Sequence, residues 1–145
     1  MPVEKMRSVL VVDDEIGVRQ SIKMLLKNDY EVFLAKNAEE AFSQIKEHSP
    51  EVILLDFTLP DLDGLKVLER IKQDDPNVIV IVMTGTIMTE KMVLEAKRFK
   101  AYSYVTKPFD IYDLRLIMAQ SLSAKALFTS TSNRQLSDHL PIEDS

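Results

Sequence analysis

The 145-residue chain has no cysteine, which excludes disulfides, thiol nucleophiles and cysteine-ligated metal sites. It has only two histidines, His48 and His139, and neither has a partner at metal-ligand spacing, so a histidine-based hydrolase or zinc site is not expected. Positive charge is in deficit: the net charge of −5 argues against sequence-independent nucleic-acid binding, which needs a basic surface. No helix-turn-helix candidate follows residue 125. No apolar run approaches the roughly 20 residues that span a bilayer, so no membrane association is expected. The polar opening MPVEKMRS does not read as a secretory signal, which leaves the cytoplasm as the expected location.

What remains is an ordinary globular composition, 46% hydrophobic and 28% charged. The length suits one domain with a core of its own. Short, dense apolar runs alternate with helical periodicity. Strands are expected at Ser8 to Val12, Glu31 to Leu34, Val52 to Leu55, Val78 to Val82 and Tyr102 to Val105. Helices are expected at Ile16 to Leu26, Ala38 to Ile45, Gly64 to Lys72, Glu90 to Phe99 and Asp110 to about Ala126. Asn37 is placed to cap the second of these, with Glu40 three residues on.

Five apolar strands alternating with five helices make βα units, a parallel sheet and right-handed crossovers. Strands this apolar need helices on both faces, so the predicted fold is α/β, doubly wound and five-stranded. The pattern does not fix strand order; the flavodoxin-like order 2-1-3-4-5 is one of two common choices. The domain is expected over residues 6–125. From 126 to 145 serine, threonine, asparagine and aspartate accumulate, which reads as a flexible tail or linker.

In an open parallel sheet the functional crevice lies beyond the carboxyl ends of the strands. There the sequence puts Asp13 and Asp14 after strand one, Asp56 after strand three, Thr84 after strand four and Lys107 after strand five. Taken singly, these are turn formers, caps or solvated side chains. Together they are harder to dismiss, since two carboxylates about 4 Å apart repel by roughly 4 kcal/mol at an effective dielectric near 20. Lys107 is a small counter-charge for three acids, so the cluster calls for a cation. Oxygen ligands without nitrogen or sulfur select Mg2+, with Mn2+ able to substitute. A metal-bound carboxylate beside a lysine and a hydroxyl has the parts of a phosphoryl-transfer site.

Four segments then carry a resemblance: VLVVDDE (Val9 to Glu15), VILLDFTLPDLDG (Val52 to Gly64), VIVMTG (Val80 to Gly85) and YSYVTKPF (Tyr102 to Phe109). In order and spacing, over roughly residues 6 to 124, the chain resembles the receiver domains of two-component response regulators. The resemblance implies that Asp56 is the phosphoacceptor, that Asp14 ligates Mg2+ directly and Asp13 mainly through water, and that Thr58 offers its backbone carbonyl. It implies that Thr84 binds the phosphoryl group and acts as a switch hydroxyl. Lys107 would contact a phosphoryl oxygen, ahead of a cis bond to Pro108, and Tyr104 would be the rotating switch aromatic.

A histidine kinase or histidine phosphotransfer protein is the implied donor. A downstream protein or a C-terminal output domain is the implied reader, and a homodimer through the helix 4–strand 5–helix 5 face is a further implied partner. Such a domain is not an enzyme in the usual sense; it catalyses only its own phosphorylation and dephosphorylation. Whether the chain stands alone or precedes an output domain is open from sequence. Thr58 and Thr86 flank the site at positions that tune phosphoryl lifetime in the family.

One departure is Lys100, which stands where the family usually has glycine; a left-handed backbone there costs about 1 kcal/mol, which predicts a different turn. Two rival readings fit the residues less well. A haloacid-dehalogenase-type phosphatase would need an Asp-x-Asp pair after strand one, whereas Asp13 and Asp14 are adjacent. A receiver-like interaction module that never sees phosphate would be expected to lose Asp56, Lys107 or one of the acid pair.

Overall fold

A computed structural model of the protein describes residues 6–128. Residues 129–145, and with them His139 and most of the expected tail, lie outside the described residues. The strands are β1 (Arg7–Val12), β2 (Tyr30–Ala35), β3 (Val52–Asp56), β4 (Ile79–Thr84) and β5 (Ser103–Thr106). The helices are α1 (Ile16–Leu26), α2 (Ala38–His48), α3 (Gly64–Asp74), α4 (Glu90–Arg98) and α5 (Ile111–Phe128). All pairings are parallel and the sheet order is β2-β1-β3-β4-β5, the flavodoxin-like choice.

Alternation along the central strands divides the core. Leu10, Val12, Ile53, Leu55, Val80 and Val82 face a layer containing Ala41 of α2, Val67, Leu68 and Ile71 of α3, and Ala96 of α4. Val9, Val11, Val52, Leu54, Ile81 and Met83 face Ile22 and Leu26 of α1 and Leu114, Met118 and Leu122 of α5. Both sets are shut off from water, which is why these strands read as unbroken apolar runs. Each such aliphatic side chain contributes about 1.5–3 kcal/mol by its burial.

Three local differences from the sequence reading have physical causes. β1, β3 and β4 extend onto polar residues (Arg7, Asp56 and Thr84), because backbone ladders continue past the apolar run. Val78 precedes β4 rather than opening it: its N–H donates to the Asp75 carbonyl at 3.3 Å, closing the turn after α3. The turn after α4 is also not the altered one expected from Lys100. Lys100 keeps a left-handed backbone, φ 69°. Its N–H donates to Lys97 O (2.9 Å) and the Ala101 N–H to Ala96 O (3.0 Å). This is the Schellman closure that usually selects glycine at this position.

Candidate functional site

Strand adjacency assembles the site. Val12 of β1 is in register with Leu55 of β3, so one further residue on each strand brings Asp13 beside Asp56. On the other side of β3, Asp56 is opposite Met83, and Thr84 is opposite Thr106, the residue before Lys107. Backbone bonds tie these strand ends together: Asp13 N to Ala35 O, Phe57 N to Met83 O, and Lys107 N to Thr84 O.

Asp13 and Asp56 are buried, at 0% and 1% exposure, and the Lys107 ammonium lies between them. Its Nζ is 2.5 Å from Asp13 Oδ2 and 3.4 Å from Asp56 Oδ2. Two buried anions in a low-dielectric rim need such a partner, because an unpaired buried charge is expensive. Burial pushes the Asp13 carboxyl above its ordinary range, against the hydrogen bonds from Lys107 and from the Glu15 N–H. Burial opposes the Lys107 charge too, but the Asp13 hydrogen bond and the charges of Asp56 and Asp13 outweigh it and hold the ammonium pKa above the usual value.

The remaining contacts orient the groups. Thr58 donates to Asp56 Oδ1 twice, from its N–H (2.9 Å) and from its hydroxyl (2.8 Å). The Glu15 N–H donates to Asp13 Oδ1 (2.9 Å), and Arg19 Nη1 of α1 donates to the Asp13 carbonyl (2.7 Å). Thr84 is buried; its hydroxyl donates to Thr86 O at 3.0 Å and accepts the Thr86 N–H at 3.2 Å. Half-buried Tyr104 packs on the α2–α4 side of the sheet, the side on which strand alternation also places Thr84. The Lys107–Pro108 bond is cis, as the resemblance implied.

Asp13, Asp14 and Glu15 have carboxylate oxygens that all lie within 4.8 Å of one another, Asp13 buried and the other two exposed. Asp56 is outside that trio and joins it through Lys107. An all-oxygen set of this charge fits a hard divalent cation. Sequence reasoning left Glu15 without a role, although its place directly after the acid pair was the available signal. For Thr58 it named the backbone carbonyl and a flanking position that tunes phosphoryl lifetime, but not the hydroxyl's hydrogen bond to Asp56.

The chain is similar to known proteins. A family profile described as "Response regulator receiver domain" matches residues 9–119. The chain is 34% identical over 119 residues to sporulation initiation phosphotransferase F of Bacillus subtilis, covering 81% of this chain and 95% of that protein. It is 33% identical to the regulatory protein AtoC of Escherichia coli, covering 82% of this chain but only 26% of AtoC. Among solved structures, a CheY-like response regulator receiver domain protein from Methanospirillum hungatei superposes with a TM-score of 0.80 at 27% identity. That match covers 84% of this chain and 98% of the other.

Proposed function

The chain belongs to the response-regulator receiver family of two-component signalling, and from that premise we propose that it accepts a phosphoryl group on Asp56, aided by a divalent cation. The observation that carries the reading is the Lys107 ammonium held between buried Asp13 and Asp56, a constellation drawn from β1, β3 and β5. A buried ion pair is weak evidence for stability, since replacing one by apolar residues is often neutral or stabilising, and this favours a chemical role for the cluster.

A carboxylate oxygen of Asp56 attacks phosphorus as the phosphorus–nitrogen bond of a donor phosphohistidine breaks. The freed imidazole, once protonated, leaves with the partner kinase or phosphotransfer protein. Asp13, Asp14 and Asp56, with the Thr58 carbonyl, are the residues that would hold Mg2+ or Mn2+, and Glu15 lies within reach of the same position. Such a cation supplies charge neutralisation on the phosphoryl oxygens. Lys107 would add a second positive charge beside Asp56. Thr58 fixes the rotamer of Asp56 through Oδ1, so the nucleophile is oriented before any donor arrives.

Phosphorylation replaces one negative charge with nearly two and adds acceptor oxygens. Thr84, whose hydroxyl is held by Thr86, would exchange that contact for a phosphoryl oxygen, and Tyr104 would move on the same side of the sheet. The reader is a downstream protein or an output domain, engaged through α4, β5 and α5, and a second copy of the chain is a further candidate for that face. Residues 6–125 would form the switching unit, followed by a tail or linker from 126 to 145, although α5 itself runs on to Phe128. No described helix is long and apolar enough to cross a membrane; a cytoplasmic location is part of the proposal. The modification is self-catalysed and stoichiometric rather than steady turnover.

Intact-mass measurement after treatment with a small acyl-phosphate donor tests the reading. One phosphoryl group is expected with magnesium present, and none with chelator. Undiminished phosphorylation of Asp56→Asn at the wild-type rate would contradict the assignment.

A further inference from the structure

The segment between β3 and α3 contains an acid outside the strand-end cluster. Asp61 reaches 23 residues back along the chain to the start of α2. Its Oδ1 accepts the Ala38 N–H at 3.0 Å and its Oδ2 the Glu39 N–H at 3.2 Å. Asn37 Oδ1 takes the Glu40 N–H at 2.8 Å, so the first three amides of α2 are all satisfied, two of them from a distant loop. The geometry is directional: both carboxylate oxygens are spent on amides whose positions the helix fixes, at the end where its dipole favours an anion.

The loop itself is otherwise loosely directed. Phe57 is bonded to Met83, and Thr58 to Asp56. At the far end Asp63 caps α3 through the Leu65 N–H. Between them Leu59 and Leu62 lie on the core, a contact without orientation. Among the described residues, the hydrogen bonds tying residues 59–62 to another element are those of Asp61.

We propose that Asp61 is a positioning residue: by clasping the first turn of α2 it fixes the backbone that follows Thr58, and so sets the Thr58 carbonyl for the cation. The inference rests on the reading of Asp56 as a cation-assisted phosphoacceptor. Partners that orient ligands from behind are worth about 10–100-fold in metal affinity, and a partner acting through three residues of backbone falls at the low end.

The test uses the full, unphosphorylated chain. Magnesium affinity is measured by calorimetric titration, and amide exchange is followed at Ala38 and Glu39 by NMR. Asp61→Ala is expected to bind magnesium about tenfold more weakly and to exchange both amides faster. Asp61→Asn, which keeps one acceptor, should fall between it and wild type. Glu40→Ala is the control: it removes the Lys36 N–H to Glu40 Oε1 bond at the same helix end without touching the loop, and should leave magnesium affinity unchanged. Wild-type affinity in Asp61→Ala despite faster amide exchange would overturn the inference, as would an equal loss in Glu40→Ala. A wild-type chain that binds no magnesium would overturn the phosphoacceptor reading itself, a result distinct from a change confined to the variants.

Discussion

The ammonium of Lys107 lies 2.5 Å from Oδ2 of Asp13, a residue 94 positions earlier in the chain and wholly buried. One amine therefore does two things at the rim of the sheet. It partly offsets the burial that pushes the Asp13 carboxyl above its ordinary range, and it reaches Asp56 at 3.4 Å.

Lys107→Met should have opposite effects on folding and on metal. Removing one partner of a buried pair costs about 3 kcal/mol, because the other charge is left uncompensated. Urea unfolding in chelator should show a loss of that order, partly restored by magnesium. Magnesium should bind Lys107→Met more tightly than wild type, since no ammonium competes for Asp13, while the rate of phosphorylation falls. Weaker magnesium binding in Lys107→Met would refute this account of the pocket.

Gly64→Ala should destabilise the domain although alanine is the better helix former by about 1 kcal/mol. A Cβ on Gly64 would lie 2.6 Å from Phe57 Cδ1 and 2.7 Å from Phe57 Cα, and backbone cannot yield as a side-chain tip can. Overpacking of this kind costs about 1–3 kcal/mol, so the clash decides the sign. Chemical denaturation measures it, and a stabilised Gly64→Ala would contradict the contact.

Lys100→Gly should stabilise the chain by about 0.5–1 kcal/mol. The left-handed backbone costs a residue with a Cβ about 1–2 kcal/mol, and the extra freedom of glycine in the unfolded chain takes back part of the gain. Lys100→Val, β-branched at φ 69°, should lose stability. Equal thermal midpoints for wild type and both variants would contradict the turn geometry.

Asp61 carries a pH signature. The Ala38 N–H, opposed by burial and helped by the Glu39 N–H, holds its carboxyl below the ordinary range. A depressed carboxylate contributes stability above its unfolded pKa and loses it as pH falls through the folded value. The advantage of wild type over Asp61→Asn should therefore be full at pH 6 and shrink below about pH 4. Urea midpoints at several pH values check this, and a gap that widens on acidification would contradict it.

The fold was legible because β1, β3 and β4 are apolar on both faces, and a pattern of that kind admits few architectures. The four strand-end groups Asp13, Asp56, Thr84 and Lys107 were legible for the same reason, since topology alone brings strand ends together. Contacts that depend on tertiary placement were not legible. The Asp61 clasp joins a loop residue to the first turn of a helix that begins 23 residues earlier, and only the packed fold sets their relative position. The Thr58 hydroxyl has several rotamers, and the sequence does not say that one of them meets Asp56. Lys100 misled because the family's glycine preference is a matter of cost, about 1 kcal/mol, which two backbone hydrogen bonds and a packed α4 outweigh.

On the proposed mechanism Asp56 itself carries the phosphoryl group. Borohydride reduction of the acyl-phosphate-treated chain, followed by peptide mass mapping, converts an aspartyl phosphate to homoserine and so marks the modified residue. Homoserine is expected at position 56 alone, dependent on magnesium. Homoserine at position 13 or 14, or at no position in a chain that has gained phosphoryl mass, would contradict it.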